Sequence, residues 1–120
     1  MRVKQDFAES VWGDIKAEMR HILIGLARGS KTICYSDLAA QIQTAYIHHR
    51  APAFMRILRN LAAEDLDAGY PNLAVLVVRK HTGRCGSGFF EQAAAHGADV
   101  SDPEAFWRAE FERVCSYWAE

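Results

Sequence analysis

Ile33-Cys34-Tyr35-Ser36-Asp37-Leu38-Ala39-Ala40-Gln41-Ile42 joins a short apolar run to a helix start. Ser36 is of a type favoured at N-caps, because a short side-chain oxygen can accept from an unpaired amide of the first turn. Asp37 puts a negative charge against the positive end of the helix dipole. Leu38, Ala39 and Ile42 fall on one side at helical spacing. The stretch therefore reads as a small strand that enters a helix.

Upstream, Phe7, Val11, Ile15, Met19, Ile22, Leu23 and Leu26 recur at spacings of three and four, which predicts an amphipathic helix from about residue 5 to 27. Gly13 is a point where it can loosen or split, Trp12 packs as an extension of the stripe or beside it, and Arg28-Gly29 is a stop, with glycine able to take a left-handed conformation. Downstream, the helix opened at Ser36 runs to about Gln43. The linker Thr44-Ala45-Tyr46-Ile47-His48-His49-Arg50 has no clear period. A third helix starts at Pro52, with Phe54, Ile57, Leu58, Leu61 and Leu66 inward and Arg56, Arg59 and Asn60 outside.

Gly69-Tyr70-Pro71-Asn72 is turn punctuation, and the continuous apolar run Leu73-Ala74-Val75-Leu76-Val77-Val78 reads as a strand buried on both faces. Arg79-Lys80-His81-Thr82-Gly83-Arg84-Cys85-Gly86-Ser87-Gly88 follows as a flexible cationic loop, and Phe89-Phe90 returns to the core, which is the pattern of a wing. A short helix from Phe89 to His96 ends at Gly97. Ser101-Asp102-Pro103-Glu104 supplies an N-cap, a first-turn proline and a capping-box glutamate for a last helix. Its stripe Trp107, Phe111, Val114 and Trp118 clamps onto the domain.

With 120 residues, half of them hydrophobic, the chain fits one domain over 1–120, with a core at about 15–90 and a helical extension at about 91–120. No run approaches a membrane span and the start is no signal peptide, so a cytoplasmic location is expected. Cys34, Cys85 and Cys115 are an odd, widely spaced set that fits reduced thiols better than disulfides or a zinc site. The net charge of -1 hides a segregation. Between 28 and 84 the cations Arg28, Lys31, Arg50, Arg56, Arg59, Arg79, Lys80 and Arg84 outnumber Asp37, Glu64, Asp65 and Asp67, and after 88 acids dominate. Such asymmetry creates a local steering field at near-zero net charge.

Helix, short strand, helix, helix, strand, basic loop is the order of a winged helix-turn-helix. The fold class expected is α+β, a winged helix-turn-helix with a small sheet and an additional C-terminal helix. Ile33-Cys34-Tyr35-Ser36-Asp37-Leu38-Ala39 resembles the Val-Thr-Tyr-Gly-Glu-Leu-Ala stretch of O6-alkylguanine-DNA alkyltransferases and alkyltransferase-like proteins. Met55-Arg56-Ile57-Leu58 is similar to the Ala-Arg-Ala-Val that begins their recognition helix, and Val77-Val78 before a glycine loop echoes the strand after their active site. The resemblance implies that Tyr35 presses on a phosphate and that Arg56 enters the base stack when a nucleotide is flipped. It departs at two places. Leu73-Ala74-Val75-Leu76 stands where that family has Pro-Cys-His-Arg, so Ala74 replaces the alkyl-accepting thiolate, and the linker between Ala39 and Arg56 is longer.

The resulting expectation is a non-catalytic DNA-binding protein, in contact with damaged or distorted DNA through Tyr35, Ser36, Arg50, Arg56, Arg59, Arg79, Lys80 and Arg84, and needing no cofactor or metal. A second reading is an interaction module that does not bind DNA and meets a protein partner or a second copy through Trp107, Phe111 and Trp118. Two minor readings concern the glycine loop: its amides as an anion cradle, and Cys85, beside Arg84 and His81, as an activated nucleophile. His48, His49 and His81 lack the carboxylates or thiolates that would complete a metal site.

Overall fold

The structure, a computed structural model, describes residues 8–119. Its elements in order are α1 (Glu9–Arg28), β1 (Ile33–Cys34), α2 (Tyr35–Gln41), α3 (Pro52–Ala68), a 3-10 turn (Leu73–Leu76), β2 (Val77–Val78), α4 (Ser87–Ala95) and α5 (Pro103–Trp118). The strands pair in parallel, Ile33 with Val77 and Cys34 with Val78, which makes this an α+β fold dominated by helices. No helix among the described residues is long and apolar enough to cross a membrane.

In α1 the stripe Ile15, Met19, Leu23 and Ala27 is buried, and the helix runs unbroken through Gly13. The part of its expected start before residue 8 lies outside the described residues. Its stop differs from the expectation by one position. Gly29 keeps a negative φ of -93°, and Ser30 takes the left-handed conformation at φ 54°. The Schellman bonds run from the Lys31 amide to the Leu26 carbonyl and from the Ser30 amide to that of Ala27, so the left-handed residue falls one after the glycine.

Ser36 is also corrected. Pairing with β2 keeps the backbone extended through Cys34, α2 begins at Tyr35, and no side chain caps it. Ser36 thus sits in the first turn, its hydroxyl 3.4 Å from the Cys34 thiol. Leu38 and Ala39 still turn inward. The aperiodic linker after α2 is ordered by α1: the Glu18 carboxylate accepts from the amides of Gln43 and Thr44 and from the Thr44 hydroxyl.

Helix α3 buries Phe54, Ile57, Leu58 and Leu61 and ends at Gly69, whose φ is 77°. Its tie to α1 is polar. Asp65, only 2% exposed, accepts from Arg20 Nη1 at 2.7 Å and from the Leu73 amide at 3.0 Å. Lys16 and Arg20 engage Glu64 beside it.

The run 73–78, expected to be one strand, is a strand only at Val77–Val78. The Asn72 side chain accepts from the Ala74 amide at 3.0 Å and its carbonyl accepts from Val75, which winds 73–76 into a 3-10 turn. The run is buried throughout, as expected, because α1, α3 and α5 surround it rather than neighbouring strands.

Helix α5 starts as expected at an Asp102 cap with Pro103 behind it, but Glu104 does not reach back to complete a capping box. It binds Arg84 and Arg108 instead, and these, Arg84 foremost, hold its carboxyl down to about 2. Trp107 and Val114 are buried against the core.

At the far end of α4, His96 Nε2 lies 3.1 Å from Asp67 Oδ1, and this pairing, with the Gln92 carbonyl, raises the imidazole above its ordinary value. A raised folded value means that the contact stabilises fully below the unfolded pKa and that its contribution is lost as pH rises through the folded one. The melting temperatures of the native protein and His96→Gln should therefore differ at acid pH and converge at alkaline pH. A gap that is constant with pH would contradict the pairing.

Candidate nucleic-acid interface

The face of α3 that carries Met55, Leu58, Arg59 and Ala62 forms one wall of a groove of about 960 Å³. The N-terminal turn of α4, the chain at 79–81 and Cys34, Tyr35 and Ser36 complete its lining. Buried Leu58, Ala62, Ala74 and Phe89 supply apolar lining, and exposed Arg50, Arg59, Arg79 and Lys80 supply charge. Among the described lining residues the single carboxylate is Glu91.

Two glycines set the arginines. A Cβ at Gly86 would lie 3.2 Å from Arg79 Nε and Nη2, and one at Gly88 would lie 3.3 Å from Arg59 Nη2. Both guanidinium groups thus rest against the first turn of α4, where the helix dipole is also positive. The Tyr35 hydroxyl accepts from the Gly86 amide at 3.3 Å; burial raises its pKa, and the O–H remains a donor. An arrangement of this kind favours an anion held beside an apolar surface.

Of the eight residues expected to meet DNA, Tyr35, Ser36, Arg50, Arg59, Arg79 and Lys80 line this groove, and Arg56 and Arg84 do not. Arg56 lies on the flank of α3 nearer α1, its guanidinium 5.8 Å from the Trp12 ring centroid. Arg84 is spent on packing. It makes 2.7 and 2.6 Å bonds to the two carboxylate oxygens of Glu104 and lies 4.0 Å over the Trp107 ring, which removes it from the phosphate-tracking role. The basic loop is likewise no hairpin wing. The Arg79 amide donates to the Arg84 carbonyl and Gly83, at φ 68°, donates back to Arg79, and the compact turn leads into helix α4 rather than a returning strand.

Glu64, Asp65 and Glu104 are each held by a cation outside the groove, which leaves the groove's positive charge uncompensated by them. His81 and Ser87 of the expected 79–88 loop also line the groove, as does His49, while Glu91 and Gln92 of α4 line it without having been singled out from the sequence. The usable signal was Gly86 and Gly88, two positions apart at a helix start, where close approach by a side chain or an anion is cheapest.

Cys85 is not the activated thiol anticipated beside Arg84. It is buried, its Sγ lies 3.3 Å from the Val75 carbonyl and 3.5 Å from that of Ala74, and burial pushes its pKa up to about 12 despite Arg84. Iodoacetamide at neutral pH should therefore modify the half-buried Cys34 and Cys115 in the native protein and reach Cys85 only after denaturation, as read by peptide mass spectrometry. Equal labelling of all three would contradict the burial.

His48 and His49 stack with ring centroids 4.5 Å apart. No group of three or more potential ligands among the described residues can hold a metal ion. The expected partner helix α5 differs from its sequence reading too. Trp107 is buried, covered by Arg84 and stacked on Phe111, whereas Phe111 and Trp118 are partly exposed, and the most exposed aromatics at this end are Tyr70 and Tyr117. Comparisons with protein-family models, with curated proteins and with solved structures found no match to this chain.

Proposed function

We propose that this chain is a non-catalytic DNA-binding protein built on a helix-turn-helix pattern in which a compact turn stands in place of the wing, applied to DNA through α3 and the turn after β2, with the groove between them receiving a damaged or distorted stretch. The observation that carries this reading is the convergence of Arg50, Arg59, Arg79 and Lys80 on a groove with an apolar lining and one described carboxylate. Phosphate contacts by such side chains release counterions and bind DNA without needing a sequence code. The resemblance to alkyltransferase-like proteins points the same way. Ala74 lines the groove, and its methyl group can accept no alkyl group, so the groove binds without transferring.

Fluorescence anisotropy with a labelled duplex tests this, at about 50 and about 200 mM salt, where phosphate-dominated binding weakens steeply. Binding at the lower salt is expected, with Arg79→Ala more damaging than Arg56→Ala because Arg56 stands off the groove. Absence of binding at low salt would overturn the reading in favour of an interaction module. The feature that supports that second reading is the pair Tyr70 and Tyr117, about half exposed with rings 5.9 Å apart.

A further inference from the structure

The linker between α2 and α3 is pinned at both ends while it displays rings to solvent. Ile42 and Ile47 are buried anchors, and Glu18 takes both amides at 43 and 44. Beyond Ile47 the Arg50 amide donates to His48 Nδ1 at 3.0 Å and the Ala51 amide to the His48 carbonyl at 2.9 Å. Between these fixed points Tyr46 is 79% exposed. A single exposed tyrosine is ordinary on a protein surface. Here it belongs to a braced segment whose next rings, His48 and His49, stack on one another at an interplanar angle of 23°. His49 and Arg50 themselves line the groove, so the stacked histidine pair adjoins the cationic groove.

We infer that this linker is a stacking platform for unpaired nucleobases, and that the site prefers DNA with a single-stranded segment beside the groove over regular duplex. This rests on the DNA-binding reading above and names the form of DNA that the groove takes. Regular duplex hides its base faces and offers this linker only phosphates. An unpaired strand offers a π-face at every base, and stacking on aromatic rings tolerates any sequence. Arg50 and Lys80 beside the rings then meet the backbone of the same strand. Burial, then the neighbouring His48, Arg50 and Lys80, hold His49 below the ordinary imidazole value, so at neutral pH the ring meets a base as an uncharged plane.

Three oligonucleotides with one label and equal length decide the matter: a blunt duplex, a single strand, and a duplex carrying an unpaired flap. The flap and the single strand should bind roughly 5- to 100-fold tighter than the duplex, the range expected for one stacked base. Tyr46→Ala and His49→Ala should each lower that preference and leave the salt slope unchanged, because stacking releases no counterions. His49→Phe, which keeps a ring and removes the titrating group, should retain it. Equal affinity for all three DNAs, or variants that weaken duplex and flap alike, would overturn the platform while leaving the groove's DNA binding intact. Failure to bind any of the three would overturn both. Unchanged circular dichroism and melting of the variants exclude misfolding as the cause of a lost preference.

Discussion

Replacing Arg59 and Arg79 together with alanine should take about two off the logarithmic salt slope of DNA binding and, at about 50 mM salt, weaken it by roughly two orders of magnitude. Each phosphate neutralised contributes about 0.9 to that slope, and the affinity estimate is the counterion-release share of two such contacts alone. The two residues are chosen because Gly86 and Gly88 let their guanidinium groups lie against the first turn of α4, in one groove where both can meet the same polyanion. Both are exposed, and neither takes part in the ion pairs found among the described residues, so folding stability should move by no more than about 0.5 kcal/mol. The charge-keeping pair Arg59→Lys and Arg79→Lys should preserve the slope and lose part of the affinity, since a lysine cannot reproduce the planar fork. A slope unchanged by the alanine pair would remove the groove from the DNA-binding surface.

Asp65→Ala should be the most destabilising single substitution considered, at roughly 3 kcal/mol. It leaves the Leu73 amide without its acceptor, at the start of the 3-10 turn, and leaves Arg20 without its buried partner. Arg20 keeps 28% of its side-chain surface in solvent, which lets water offset part of the loss and places the value at the lower end of the range for broken buried pairs. The melting temperature should fall by roughly 10 °C. Asp65→Asn retains an oxygen for Leu73 and loses the charge, so it should fall between the two. A urea midpoint for Asp65→Ala that corresponds to less than about 1 kcal/mol would show that the α1–α3 tie is not what closes the core.

Helices that carry their own punctuation are legible in the sequence. Pro52 and Gly69 bound α3, Gly97 ends the segment that α4 occupies, and Asp102-Pro103 opens α5. What was illegible depended on partners distant in sequence. Six apolar residues in a row look alike whether strands or helices bury them, and here the cover comes from α1, α3 and α5, while Asp65 takes the Leu73 amide that opens the 3-10 turn at 73–76. Gly86-Ser87-Gly88 reads as flexible because glycine is a poor helix former, yet here it opens α4 and admits two arginines. In the candidate site the sign of the charge was legible and its sorting was not. Arg84 is withdrawn by Glu104, twenty residues on, and Arg56 leaves the groove by a fraction of a helical turn.

The same long separations govern how the chain comes into being. Ile33 pairs with Val77, and α1, with Ile15 at its buried face, packs against α5 around Val114. At about 5 to 20 residues per second, a ribosome extrudes that first apolar stripe roughly 5 to 20 s before the helix that covers it exists. The part of the core between α1 and α5 therefore closes only after α5 has been translated. For that interval the stripe of α1 lacks one of its covering helices, and exposed apolar surface of this kind is what makes incomplete chains prone to aggregate.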